Sequence, residues 1–309
     1  MSSSAAKKTF SPFWMLLLLA AINIGGPFLP VPNKAVAVVG GVLLTLIYVG
    51  AVVLFGLGVA RRQLPIPLAL AGLAVCALIW LGVENGLWPT LRSVLRAARE
   101  SGAAPSTVRQ LSFFATTTLQ DLAMVSGATF SGTLLARLIR HPNMIGPIGF
   151  AIALIDIWGV LFGGIVSQML TNKATQPIAE RAMAAGPSIG GVGAARREFS
   201  LQIPSIGVGD FLFIALLLSV LVNLAMNFKT SARLMWVFVS FALISIVFLP
   251  FFPHLPGLLF IAAAVVLPNW KYFRFTREEL FALLYAGIFV LLLTIGLYFG
   301  FKAMLPTNK

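Results

Sequence analysis

The sequence predicts an all-α, polytopic integral membrane protein with about nine transmembrane helices. Of its 309 residues, 59% are hydrophobic and only 10% are charged, whereas a soluble domain carries about 25% charged residues to cover its surface. The mean hydropathy is +0.96. The charged residues lie in short clusters between apolar stretches of about 20 residues, the length that crosses the hydrocarbon core of a bilayer. This pattern argues against any soluble fold.

Nine apolar segments have the length and hydropathy of membrane spans. In chain order they cover residues 13–31, 35–60, 64–88, 111–138, 144–170, 202–226, 232–250, 254–268 and 278–301. A polar tail precedes the first span, and no small-residue cleavage site follows that span, so we expect it to be a membrane helix and not a removed signal peptide. The fourth span is the most polar, because it contains a run of threonines, Gln120 and Asp121.

Two long loops and one short span interrupt this pattern. Residues 89–110 carry four arginines and are predicted to form a helix at the membrane interface. Residues 171–200 form a polar loop rich in glycine and alanine. Three prolines stand at the entrance of the short eighth span, so that span is predicted to form a broken or re-entrant element with the seventh.

The net charge of +13 indicates contact with lipid and not with nucleic acid. The Lys and Arg residues are scattered through short loops, as expected for a protein held beside anionic lipid. They divide equally between the two sides of a nine-span chain, and only the shorter loops favour a cytoplasmic N-terminus. We expect the protein in the cell (cytoplasmic) membrane. The single cysteine, Cys76, excludes an intramolecular disulfide.

Two of the nine acidic residues lie deep in consecutive predicted spans. Asp156 is in GFAIALIDIWGVLFGG and Asp210 is in IPSIGVGDFLFIALLL, whereas Asp121 has polar neighbours. An ionised carboxylate at that depth costs at least about 2.5–3.5 kcal/mol, so it persists only where water or a partner meets it. Each residue alone is compatible with a protonated structural carboxyl, but two on successive antiparallel spans indicate a functional pair.

Small residues follow the same helix face as Asp156. Gly149, Ala153, Gly159 and Gly163 precede and follow it at steps of three or four. Such a stripe lets a neighbouring helix approach closely, which also fits ordinary helix packing. The stripe therefore predicts that Asp156 faces protein and not lipid.

Glycines also stand directly before the second acid. Gly207-Val208-Gly209-Asp210 is the one Gly-x-Gly triplet of the chain that precedes an acid. The two glycines remove side-chain bulk beside the carboxyl, so that backbone from another chain can come close. Pro204 removes a helical donor just before them.

Two neighbouring carboxyls predict aspartyl chemistry without a metal or another cofactor. Carboxyls within a few ångströms share a proton, because they cannot both ionise cheaply. One then acts as the base on a water, while the other polarises a carbonyl. The sequence has no His-Glu-x-x-His zinc motif, its histidines His141 and His254 lie in loops, and no Gly-x-Ser-Gly motif supports a serine protease.

These residues resemble the presenilin and signal-peptide-peptidase family of intramembrane aspartyl proteases, and the chain is similar to a divergent prokaryotic member. Residues 207–213 resemble the Gly-x-Gly-Asp motif and its aromatic-rich continuation. Asp156 lies one span earlier, as the first catalytic aspartate of the family does. Leu255-Pro256-Gly257-Leu258 is similar to the Pro-Ala-Leu motif. The resemblance covers roughly residues 144–268.

The chain departs from the family pattern at several points. Ile155 replaces a tyrosine before the first aspartate, and Gly257 replaces the alanine of Pro-Ala-Leu. Four predicted spans precede Asp156 where the family has five, and one more span follows the Pro-Gly-Leu element. Prepilin peptidases share the Gly-x-Gly-Asp motif but have a lysine two residues after the aspartate, where this chain has Leu212.

The resemblance implies a presenilin-like fold and hydrolysis of peptide bonds within or beside membrane helices. It implies that Asp156 and Asp210 are catalytic. It further implies that the substrate contacts Gly207, Val208, Gly209, Pro256, Gly257 and Leu258, and that substrates are transmembrane segments of other proteins or remnant signal peptides. In the family this region binds an unwound substrate as an added strand.

The sequence predicts four regions along the chain and leaves two alternative functions open. Residues 1–12 form the tail, 13–138 a four-span bundle, 139–268 the catalytic-type core, and 269–309 a loop, the terminal span and a short tail. The main alternative is a transporter or channel that uses the two aspartates as a proton or cation relay. A family member that binds helices without cutting them is a third reading.

Overall fold

The protein is described by a computed structural model that covers residues 11–100, 107–157, 160, 175–190, 201–248 and 255–304. The regular secondary structure of this part of the chain is helical apart from four two-residue strands. The helices are α1 (Phe13–Gly25), α2 (Lys34–Arg62), α3 (Ile66–Gly82), α4 (Trp88–Glu100), α5 (Thr107–Leu135), α6 (Ile145–Ile157), α7 (Gln176–Arg181), α8 (Val208–Asn223), α9 (Phe228–Phe248), α10 (Gly257–Asn269) and α11 (Arg277–Met304). The strands are β1 (Met183–Ala184), β2 (Ser188–Ile189), β3 (Leu201–Gln202) and β4 (Ile206–Gly207).

The predicted all-α class is confirmed, and three of the described helices are long and apolar enough to cross a membrane. They are Lys34–Arg62, Ile66–Leu91 and Phe228–Phe248. Four shorter apolar helices cover Phe13–Phe28, Pro142–Ile157, Val208–Asn223 and Gly257–Tyr272. Residues 158–159 and 161–174, which include Gly159 and Gly163, lie outside the described part of the chain, as do residues 249–254 at the entrance of the predicted eighth span.

Local signals in the sequence explain where several helices begin and end. The Asn33 side chain accepts a hydrogen bond from the Val36 amide at 2.9 Å and caps α2. Gln63 then ends this helix in the left-handed region, with φ of 42°. A π-helical turn, Val83–Leu87, joins α3 to α4, which forms the first part of the stretch 89–110 that was predicted to be an interfacial helix.

The region before α8 differs from the predicted span of residues 202–226. Helix α8 begins only at Val208, because residues 201–207 contain Pro204 and are drawn into two short antiparallel pairs. Strand β1 pairs with β4, and β2 pairs with β3. The predicted polar loop therefore contributes α7, β1 and β2 to an ordered segment beside α8.

The core is centred on α8, which packs against α2 and α5. Phe211 and Leu217 of α8 are fully buried. Helix α5 approaches α8 closely at Gly132, where an added Cβ would lie 2.4 Å from the Leu212 carbonyl oxygen. On the other side, α10 packs between α6 and α9. Helix α11 packs on α6 and leaves most of its apolar side chains exposed.

Buried hydrogen bonds fix the far end of α10 to α9. The Asn269 side chain is fully buried and donates to the Ser231 hydroxyl at 2.8 Å. Its Oδ1 accepts from the Asn227 amide at 2.8 Å. Because each of these buried polar groups has a partner, the contact holds α10 without the cost of an unsatisfied group.

Candidate functional site

A cavity of about 450 Å³ lies between the helices that carry the two predicted aspartates. Asp156 of α6 and Asp210 of α8 both line it. The remaining walls come from α2, α9, the start of α10 and the segment that contains β4. The lining is mostly apolar, so the two carboxyls are the acidic groups that it presents among the described residues.

Asp156 is held by the beginning of α10. Its Oδ2 accepts a hydrogen bond from the Leu258 amide at 2.7 Å. Leu258 is the second residue of α10, and the amides of the first turn have no partner within the helix. A carboxylate at a helix N-terminus is also stabilised by the helix dipole. Asp156 therefore caps a helix other than its own.

Asp210 lies in the first turn of its own helix. Asp210 is the third residue of α8, after Val208 and Gly209. A carboxylate in the first turn of a helix is favoured by the helix dipole. Asp210 and Asp156 also interact electrostatically across the cavity.

The start of α10 brings both carboxyls to consecutive residues. Asp156 bonds Leu258, while Asp210 faces Gly257, where an added Cβ would lie 3.3 Å from Asp210 Oδ1. Pro256, just before them, is buried. The structure thus brings the predicted Pro-Gly-Leu element and both predicted aspartates to one place.

The two predicted glycines before Asp210 have different surroundings. Gly207 belongs to β4 and pairs with Met183 of β1. Gly209 lines the cavity, and an added Cβ there would meet no atom within 4 Å. Between them, the Val208 amide donates to the Ala182 carbonyl at 3.0 Å. The space beside Gly209 is therefore open to a ligand, whereas Gly207 is engaged by the strand pair.

The described part of the predicted small-residue stripe faces α10. A Cβ added at Gly149 would lie 3.2 Å from a methyl of Val266 and 3.6 Å from the Ala262 side chain. Ala153 on the same face is buried. Close packing of α6 on α10 brings Asp156 within reach of the α10 amides.

Sequence reasoning missed the wall that α2 and α9 contribute. Tyr48 and Val52 of α2, and Val239 and Leu243 of α9, line the cavity. Apolar side chains in apolar spans give no signal that separates a cavity wall from an ordinary core. The one available signal was Tyr48, a polar group in the middle of an apolar run, which the structure buries completely.

Among the described residues, no group of three or more His, Cys, Asp or Glu side chains is placed to hold a metal ion. Comparison of the chain with known protein families, with curated proteins and with solved structures gives no match. The resemblance to intramembrane aspartyl proteases therefore depends on the motifs themselves and on the positions of their residues.

Proposed function

We propose that the protein is an intramembrane aspartyl protease of about nine spans in the cell membrane, with Asp156 and Asp210 as its catalytic pair. One observation carries the proposal. Two carboxyls from successive apolar helices line one cavity and meet consecutive residues, Gly257 and Leu258, at the start of α10. Three of the helices that line this cavity, α6, α8 and α10, lie within residues 144–268, the range that the resemblance covers.

The chemistry follows from a shared proton. With one carboxyl ionised and the other protonated, the ionised group removes a proton from a water that attacks the peptide carbonyl carbon. The protonated group donates to the carbonyl oxygen. Collapse of the tetrahedral intermediate breaks the C–N bond, and a carboxyl returns a proton to the leaving amine. Because the pair titrates together, cleavage should show a bell-shaped pH profile.

Open space beside Gly209 supports a site for substrate backbone. A Cβ added at Gly209 would meet no atom within 4 Å, so this part of the cavity has room for a substrate backbone to approach. Strands β1 and β4 border the cavity through Met183, Ile206 and Gly207. A substrate helix that unwinds next to them would satisfy its freed amides by adding a strand, because unpaired backbone groups are costly in an apolar environment.

Purified protein incubated with a panel of single-span substrates tests the proposal. Wild type is expected to give defined fragments, and Asp210→Asn, which keeps the size of the side chain, is expected to give none. Thr129→Val is the matched control, because Thr129 is buried but bonds only the Val125 carbonyl of its own helix among the described residues. Fragments that persist in Asp210→Asn, or activity that rises steadily through pH 9, would reject the aspartyl mechanism.

A proton or cation relay is the second candidate, favoured by the same two carboxyls in one cavity. The two functions differ in what they require beside Asp210. A relay needs only carboxyls and water, whereas a protease needs room for substrate backbone. Retention of the protein on an immobilised aspartyl-protease transition-state analogue, released by free analogue, favours the protease. Substrate-independent proton flux in vesicles, lost in Asp210→Asn, favours the relay.

A further inference from the structure

A third aspartate, Asp121 on α5, is buried outside the proposed catalytic pair. Its side chain is 5% exposed. Oδ1 accepts a hydrogen bond from the Ala185 amide at 3.2 Å, and Oδ2 has no partner among the described residues. Tyr48, whose side chain lines the cavity, interacts electrostatically with Asp121. Asp121 therefore lies just behind the cavity wall.

The hydrogen bond from Ala185 joins α5 to the strands that precede Asp210. Ala185 directly follows β1, in which Met183 pairs with Gly207 and Ala184 with Ile206. Two residues, Val208 and Gly209, separate Gly207 from Asp210 along the chain. A displacement of β1 would therefore reach the start of α8 through a single pair of strands.

The strand segment, which consists of residues 183–190 and 201–207 with the four short strands, is tightly packed along its own length. A Cβ at Gly186 would lie 2.4 Å from the carbonyl oxygens of Ile203 and Pro204, and the Ile203 amide donates to the Pro187 carbonyl at 3.1 Å. These contacts hold residues 186–187 against residues 203–204, so the segment is placed in the fold by the contacts that join it to the helices.

Two other polar contacts join this segment to the helices among the described residues, and the Ile189 and Leu201 side chains also pack on Gly40 and Gly41 of α2. Arg181 forms an ion pair with Glu84 at 2.7 Å, but the Arg181 side chain is 52% exposed. An exposed pair contributes little. The Gly190 amide bonds the Gly26 carbonyl at 3.2 Å, beyond β2. Among these polar contacts, the Asp121 side chain is the buried one, and its hydrogen bond to Ala185 lies next to the β1–β4 pair.

Stability alone does not explain a carboxyl at this position. Burying a charge with one oxygen unpartnered costs free energy, and apolar replacement of such groups is often neutral or stabilising. A buried polar group that lowers stability in this way is expected at a functional site. We propose that Asp121 is a positioning residue, which holds the paired strands β1 and β4 and thereby places Gly207 and Asp210 at the cavity. Its effect on cleavage rests on the proposed proteolytic function.

Three variants on α5 test the proposal. Asp121→Leu removes the acceptor and Asp121→Asn keeps one. Thr129→Val is the control for loss of a buried polar group that bonds its own helix. In Asp121→Leu, hydrogen exchange in residues 183–190 and 201–207 should rise at least about tenfold, because the Ala185 amide loses its acceptor. The other two variants should exchange like wild type.

Cleavage provides the second readout. Asp121→Leu should lower kcat by about 100-fold, the scale of a 1 Å misplacement, with little change in KM. Its thermal midpoint should be no lower than that of Thr129→Val. Asp121→Asn should retain substantial turnover, since its Oδ1 still accepts the Ala185 amide. This combination of lost rate and kept stability distinguishes positioning from a purely structural role.

The outcomes separate this inference from the proposed function. Unchanged exchange in Asp121→Leu overturns the positioning role whatever the activity. Complete loss of cleavage in Asp121→Asn, with wild-type exchange, also overturns it and makes Asp121 a candidate catalytic acid. A wild-type protein that cleaves nothing overturns the proposed protease, while the exchange comparison still decides whether Asp121 holds the strands.

Discussion

At the scale of single residues, Asp156 and Asp210 each lie at the beginning of a helix. Asp156 accepts a hydrogen bond from the Leu258 amide in the first turn of α10, and Asp210 lies in the first turn of α8. A helix N-terminus favours a negative charge, and the neighbouring carboxyl opposes a second one. These opposing effects favour one proton shared between the two groups.

Because Asp156 both lines the cavity and caps α10, substitutions of Asp156 should differ in their effect on stability. Asp156→Asn and Asp210→Asn should both abolish cleavage. Asp156→Ala removes the cap of α10 as well, and loss of a cap costs about 0.5–2 kcal/mol. Thermal unfolding in detergent should therefore begin at a lower temperature in Asp156→Ala than in Asp156→Asn. If either asparagine variant keeps more than a trace of activity, that residue is not catalytic.

The glycines beside the carboxyls give opposite expectations. Gly209→Val places bulk in the open space of the cavity and should lower the cleavage rate by about 100-fold, the scale of a small misplacement of substrate. Gly257→Ala restores the alanine of the family motif. Its Cβ would lie 3.3 Å from Asp210 Oδ1, a contact that a shift of a few tenths of an ångström relieves.

Cleavage should therefore survive Gly257→Ala, as measured by initial rates on one substrate. The same rate assay on both variants checks the pair of expectations. Equal rates would mean that Gly209 does not border the substrate, and equal losses would mean that Gly257 does not match the family alanine.

At the scale of elements, the two strand pairs are a part of the fold that the sequence did not predict. Two-residue strands carry no periodicity, so residues 183–207 gave no strand signal. Pro204 was recognised as a break, yet its consequence depends on residues about 20 positions earlier in the chain, with which Ile206 and Gly207 pair. The apolar helices were predictable because each carries a long apolar run, whereas α7 lies in the predicted polar loop and gave no such signal.

The strand segment can be disturbed without touching a carboxyl. Gly186→Val would drive a side chain into the Ile203 and Pro204 carbonyl oxygens, 2.4 Å from the position of its Cβ. A displacement of residues 203–204 that relieves this clash should also move β4 and reduce cleavage strongly, although Asp156 and Asp210 are unchanged. Gly25→Ala, where an added Cβ meets nothing within 4 Å, should cleave like wild type. Equal initial rates for the two variants would contradict a role for this segment.

At the scale of the whole molecule, the residues that line the cavity come from helices that are far apart in the chain. Helices α2, α6, α8, α9 and α10 line it, and none of the described lining residues belongs to α11. The sequence predicted that Asp156, Asp210 and residues 256–258 meet, because their order matched a known pattern. It did not predict the contribution of α2, since Tyr48 reaches the cavity only through long-range packing.

The extra terminal helix should therefore be dispensable for chemistry. A chain that ends after Thr276 loses the packing of α11 on α6, where Phe150 contacts Gly287. It should keep fragment patterns and a rate within about tenfold of wild type, a cost of about 1.4 kcal/mol in the barrier. Fragment analysis beside thermal unfolding measures both effects. Lost cleavage in a truncated chain that unfolds at the wild-type temperature would place α11 in the mechanism.

The fixed end of α10 has a geometric consequence. Asn269 is held by Ser231 and Asn227, while the other end of this 13-residue helix meets the two carboxyls. At 1.5 Å per residue the helix is about 20 Å long, so a tilt of about 3° around Asn269 moves Gly257 by about 1 Å. A displacement of that size is enough to change a catalytic rate by about 100-fold. Bilayers of different thickness change helix tilt, so the turnover of this protein should depend on the acyl-chain length of its lipids.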